Sequence, residues 1–83
     1  MPRYYFDLYN DRNTVDQEGE VFPDLATALD HARTAVRKLG AEAVSTRGQL
    51  VLDHRLIVRS EETDEQHIIH FGDVIRIVPH DDA

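Results

Sequence analysis

Two histidines three residues apart, His67 and His70, are the first groups in this sequence with metal-ligand character. On a helix that spacing sets two imidazoles on one face. The residues around them read as a strand, where positions three apart point to opposite faces. A metal site also needs a third ligand, and no spacing selects among Asp64, Glu65 and His54. The five histidines therefore read as scattered surface and edge residues, and no metal is expected. Asp11-x-Asn13 opens like a calcium loop, but Val15 and Asp16 then fall where an oxygen ligand and a glycine are required. Asp7, Asp16 and Asp73 invite comparison with an RNase H-like carboxylate cluster. Asp7, however, lies on the polar parity of its strand and would face away from the core. The chain has no cysteine nucleophile, and Ser45 and Ser60 stand in no His-Asp arrangement. Neither catalysis nor a cofactor is expected.

The elements that must hold these groups follow from periodicity. Arg3 to Tyr9 alternates, with Tyr4, Phe6 and Leu8 on one parity and Arg3, Tyr5, Asp7 and Tyr9 on the other, which predicts a half-buried strand. The Asx-rich Asn10 to Asn13 predicts a turn. A short second strand is expected around Thr14 to Asp16, then a turn or bulge at Glu18-Gly19 and a way out through Glu20 to Phe22. Asp24 is a suitable N-cap. After it, Leu25, Ala28, Leu29, Ala32, Val36, Leu39 and Ala43 recur at threes and fours, predicting an amphipathic helix that ends at Arg47-Gly48. Gly40 inside it marks a kink or a close approach. Gln49 to Asp53 is a strand or a connector. His54 to Ser60 and Gln66 to Phe71 read as a hairpin, tipped by Glu61-Glu62-Thr63-Asp64-Glu65. A turn centred on Thr63-Asp64 would pair Val58 with Ile69, Leu56 with Phe71, Ile57 with His70 and Arg59 with Ile68. Asp73 falls on the core parity, so a bulge or one helical turn is expected there. Val74 to Val78 then resumes an extended pattern.

One helix covers only one face of a sheet, so the expected fold is α+β. It is a two-layer sandwich of strand-strand-helix-strand-strand order, with an antiparallel sheet and one long helix packed on one face. A single domain over residues 1–79 and a polar tail over 80–83 are expected. The helix should bury Leu25, Leu29, Ala32, Val36 and Leu39 against Tyr4, Phe6, Leu56, Val58, Ile69 and Phe71.

The chain has 83 residues, 41% of them hydrophobic and 30% charged, which is a globular composition. Sixteen acidic residues against nine basic give a net charge of −7, which argues against nucleic-acid binding. No apolar run is long enough to cross a membrane, and the N-terminus has no signal-peptide pattern. A soluble cytoplasmic protein is expected.

Met1-Pro2-Arg3-Tyr4-Tyr5-Phe6-x-Leu8, Asp16-x-Glu18-Gly19, Pro23-Asp24-Leu25 with its Ala-rich helix, and Phe71-Gly72-Asp73-Val74 together resemble a family of short bacterial proteins of unknown function. That resemblance implies a compact α+β domain and brings no activity. The aromatic first strand, the acidic turn and Phe22-Pro23-Asp24-Leu25 also resemble the N-terminal half of HicB-type antitoxins. Those use a partial RNase H-like fold to cover a small toxin. This chain departs from them in lacking a clear extra strand before Leu25 and an appended DNA-binding segment.

The sheet face opposite the helix is the candidate site. It should present Tyr5, Tyr9, Ile57, Ile68 and His70 with Arg3, Asp7, Arg59 and Arg76, and also Val74 and Val78 if the chain stays extended. Apolar, Tyr and Arg side chains together are typical of a protein contact. The expected function is a small non-enzymatic interaction domain, self-associating through Tyr5, Ile57, Arg59, Ile68 and His70. The partner is then a second copy or another protein. Two alternatives stand beside it: an antitoxin-like or regulatory partner masking a basic protein, and a small-ligand or metal-binding module. The acidic hairpin tip either discourages edge-to-edge pairing or docks a basic partner.

Overall fold

The computed structural model describes residues 1–81. Its elements run β1 (Arg3–Tyr9), β2 (Asn13–Thr14), β3 (Glu20–Val21), α1 (Leu25–Arg47), β4 (Arg55–Ser60), β5 (Gln66–His70) and α2 (Phe71–Val74). The fold is α+β, an open antiparallel sheet of five strands with one long helix on one face. β1 lies between β4 on one side and, on the other, β2 and β3 end to end, with β5 beyond β4. β3 and β4 both run antiparallel to β1, so they are parallel to each other across it. The shortest Cα dimension is 17 Å, room for one sheet and one helix and nothing on the sheet's far side.

The helix begins and ends where its chemistry dictates. Asp24 accepts from the Thr27 amide at 2.8 Å and from the Thr27 hydroxyl at 2.7 Å. Gly48 takes the left-handed conformation (φ 63°) and donates to the Val44 carbonyl at 2.9 Å. The line against the sheet differs from the expected one. Ala28, Ala32, Val36, Gly40 and Ala43 are buried, while Leu25, Leu29 and Leu39 are only partly buried and pack at the core's margin. Small residues at successive turns bring the helix axis close to the sheet and push the longer leucines outward. Gly40 marks a close approach, not to the sheet but to the side chains of Ile75 and Leu50. A Cβ there would lie 2.6 Å from Ile75 Cδ1, so it marks where the chain after α2 crosses the helix.

Three other expectations are corrected. The hairpin register is shifted by two: Ile57 pairs with Ile68, Arg55 with His70, Leu56 with Ile69, Val58 with His67 and Arg59 with Gln66. The cause lies at both ends. Glu61 donates to the Arg3 carbonyl, and the Ser60 and Thr63 hydroxyls accept from the Glu62 and Glu65 amides, so the turn closes early. Phe71 then leaves the ladder to start α2, where Asp73 caps the His70 amide at 3.0 Å. An even shift keeps every residue on its own face. Val74 to Val78 forms no strand, so Val74, Arg76 and Val78 do not join the sheet face; Ile77 and Val78 are exposed. The second strand stops at Thr14, before Val15 and Asp16. Of the expected polar tail, Asp82 and Ala83 lie outside the described residues.

Candidate functional site

The ladder sets three rows of side chains on the uncovered face: Tyr5, Arg59 and Gln66; Asp7, Ile57 and Ile68; Tyr9, Arg55 and His70. All five expected interface residues are there, in neighbouring rows. Their exposure differs from the expectation. Ile68 is 52% exposed, but Ile57 beside it is only 9% exposed. Two residues to either side of Ile57 on β4, the Arg59 guanidinium lies 4.8 Å from the Tyr5 ring centroid and that of Arg55 lies 5.1 Å from the Tyr9 centroid. Such cation–π stacks fix long side chains over the face.

Between them lies a feature the sequence did not announce. Asp7 is 3% exposed, although its face carries no second layer. It accepts from Arg59 Nε and, at 3.1 Å, from Arg59 Nη2, so the guanidinium grips it as a fork. It also accepts from the Asp16 amide at 2.9 Å, and Arg59 donates onward to the Asp16 carbonyl at 3.2 Å. The hydrogen bond to Asp7 holds the Arg59 proton more firmly than usual. The charges that looked free to meet a partner or a metal are thus consumed within the chain.

Asp16 closes the edge of β1 in the gap between β2 and β3. Its carboxylate accepts from the amides of Phe6, Glu18 and Gly19, each at 3.1 Å. The turn needs Gly19, which has φ 68° and whose added Cβ would lie 2.8 Å from the Tyr4 carbonyl oxygen. Burial pushes the Asp16 carboxyl up, but the Gly19, Phe6 and Glu18 amides and the Arg59 charge outweigh it and hold it below the ordinary range. A carboxyl held lower in the folded than in the unfolded chain stabilises fully above pH of about 4 and loses that contribution as pH falls through its folded value. Acidification below pH of about 4 should therefore raise amide exchange at Phe6, Glu18 and Gly19 before the core exchanges. Asp16→Ala should cost about 1–2 kcal/mol at pH 7 and remove that acid step. An unchanged exchange profile in the variant would count against this role.

The histidines are dispersed. His54 lies 3.6 Å from Asp11, His67 lies 3.8 Å from Glu65 and His70 lies 3.6 Å from Asp73. His31 packs its ring against Phe6 and Phe22. His67 and His70 fall on opposite sheet faces, as their spacing predicts. Among the described residues no three His, Cys, Asp or Glu side chains are placed to hold a metal, and no helix is long and apolar enough to cross a membrane.

The family model described as a domain of unknown function, DUF6894, matches residues 3–72 of the 83. The chain belongs to the DUF6894 family. That span takes in every strand, α1, the Asp7–Asp16–Arg59 knot and the whole uncovered face. It stops inside α2, before the exposed Ile77 and Val78. No match was found among curated proteins or among solved structures.

Proposed function

We propose that this DUF6894 domain is a non-enzymatic, cytoplasmic protein-interaction module that docks a segment of another protein on its uncovered sheet face. The observation that supports this is Ile68, half exposed at the end of the Asp7–Ile57–Ile68 row, between two rows that each carry an ordered Tyr–Arg stack. Tyr and Arg around an apolar centre are the chemistry of interface hot spots. With Arg59 paired to Asp7, the face keeps the Arg55 cation, stacked on Tyr9, on a chain whose net charge is −7. It therefore suits a segment with an apolar side chain and a nearby carboxylate, and a nucleic acid is disfavoured by the overall charge. The non-enzymatic part of the proposal draws support from Asp7 and Asp16, the two carboxylates that come together. Both are spent on Arg59 and on backbone amides.

A photo-crosslinking residue at position 68 should capture a discrete partner from the native cell, and the same residue at Arg33, on the outer face of α1, should not. Ile68→Asp should abolish binding of that partner while changing stability by about 0.5 kcal/mol or less, because the side chain already meets water. Equal capture from positions 68 and 33, or full binding by Ile68→Asp, overturns the proposal.

A further inference from the structure

The two edges of the sheet are finished differently. The β1 edge is covered by β2, by β3 and, in the gap, by the Asp16 carboxylate on the Phe6 amide. β5 is the other edge. Phe71 donates to the His54 carbonyl, so residues of its parity turn their backbone groups toward β4, while Gln66, Ile68 and His70 turn theirs outward. Asp73 occupies the outward His70 amide. The amides and carbonyls of Gln66 and Ile68 have no partner among the described residues, with the His70 carbonyl at the rim.

We propose that this short open edge pairs with the β5 edge of a second copy, joining two sheets into one. An antiparallel neighbour set with Gln66 opposite the second copy's Ile68, and Ile68 opposite its Gln66, satisfies two donors and two acceptors on each side. The pairing is isologous about an axis at His67. Several features on the edge favour a copy of this chain over an unrelated strand. The ladder is two residues wide, stopped at one end by Asp73 and α2 and at the other by the loop carrying Glu61, Glu62, Asp64 and Glu65. A longer strand would run into both stops, whereas a second β5 has the same length and the same stops. Antiparallel pairing also sets each acidic loop beside the other copy's His70 end, not against the other acidic loop. The two Ile68 side chains fall diagonally across the junction, within reach of one another. The inference rests on the chain being an interaction domain; it uses the backbone edge of β5, whereas docking uses the side-chain face, and Ile68 belongs to both.

The chain has no cysteine, so one introduced thiol reports cleanly. Residues 67 of the two copies would face each other as a non-hydrogen-bonded pair, with Cα atoms about 4.5 Å apart, inside disulfide range. Under mild oxidation His67→Cys should become mostly a disulfide-linked dimer. Arg55→Cys, near the middle of the docking face, should not, because only face-to-face stacking brings two copies of it together. In the wild type, exchange at the Gln66 and Ile68 amides should slow as concentration rises and light scattering moves to the dimer mass. This measurement needs no variant to fold. A monomer at millimolar concentration overturns the inference, as does a dimer in which both amides exchange freely or Arg55→Cys links in preference to His67→Cys. In the crosslinking test, capture of a second copy of this chain at position 68 reports the edge pairing and capture of a different protein reports docking, so the two readings stay distinguishable.

Discussion

Replacing Arg59 with alanine should cost about 3–5 kcal/mol, the usual penalty for stranding one member of a buried ion pair. Asp7 is 3% exposed and has three hydrogen-bond donors, two of them on Arg59. Without Arg59 the carboxylate keeps one amide and no countercharge. The loss is a large share of the roughly 5–15 kcal/mol that holds a small domain together. The partners are not symmetric. About a third of the Arg59 side chain is exposed, so Asp7→Asn leaves a cation that can turn to water and an amide oxygen that still accepts from Asp16. Its cost should be about 1–3 kcal/mol. Replacing both, as Asp7→Leu with Arg59→Met, should be closer to wild type than Arg59→Ala alone, because neither charge then needs desolvation. Urea unfolding followed by circular dichroism at pH 7 separates the three. An Arg59→Ala variant within 1 kcal/mol of wild type would show that the knot is ornamental.

The knot also marks where the sequence stops being legible. Local features are written locally: the Asp24 cap, the Gly48 stop and the threes and fours of α1 are each encoded within a few residues, and the helix limits follow from them. The alternation of β1 likewise assigns its residues to faces. Asp7 and Arg59 lie 52 positions apart, and they meet only because β1 and β4 are neighbours in one register. The polar parity therefore looked solvated when one of its residues is sealed, and Ile57 looked exposed when long neighbours flank it. One hint was present. Asp16-x-Glu18-Gly19 has the form of a side-chain-capped turn, and an acid that caps its own loop is not a solvated one. The hairpin register failed for a related reason. Alternation fixes parity but not the turn, and the Ser60 and Thr63 hydroxyls close it with its centre one residue before the Thr63-Asp64 position, which moves the pairing by two. The same shift freed Phe71 to start α2.

Phe71 is the point on which that C-terminal arrangement turns, and Phe71→Ala should cost about 3–5 kcal/mol. The side chain is 3% exposed within the cluster formed by Leu56, Val58, Ile69, Val36 and the helix alanines. Its ring stands edge-on to His54 at 5.9 Å, its amide donates to the His54 carbonyl at 2.7 Å, and its carbonyl accepts from Ile75. Truncation therefore opens a cavity and also loosens the packing that holds the β5–α2 junction against the connector before β4. Leu29→Ala, on the helix margin and only partly buried, should cost about 2 kcal/mol, at the low end of the range for such truncations. The ordering separates the observed core from the expected one, in which Leu29 lay at the centre and would match Phe71. If the β5 edge pairs as proposed, Phe71→Ala should also weaken dimerisation at concentrations where the monomer is still folded, because Asp73 and the end of β5 lose their support. Leu29→Ala should leave dimerisation unchanged once both proteins are compared at equal folded fraction. Thermal unfolding at several concentrations reads both effects at once. Equal destabilisation by the two substitutions would place the core back on the leucine stripe.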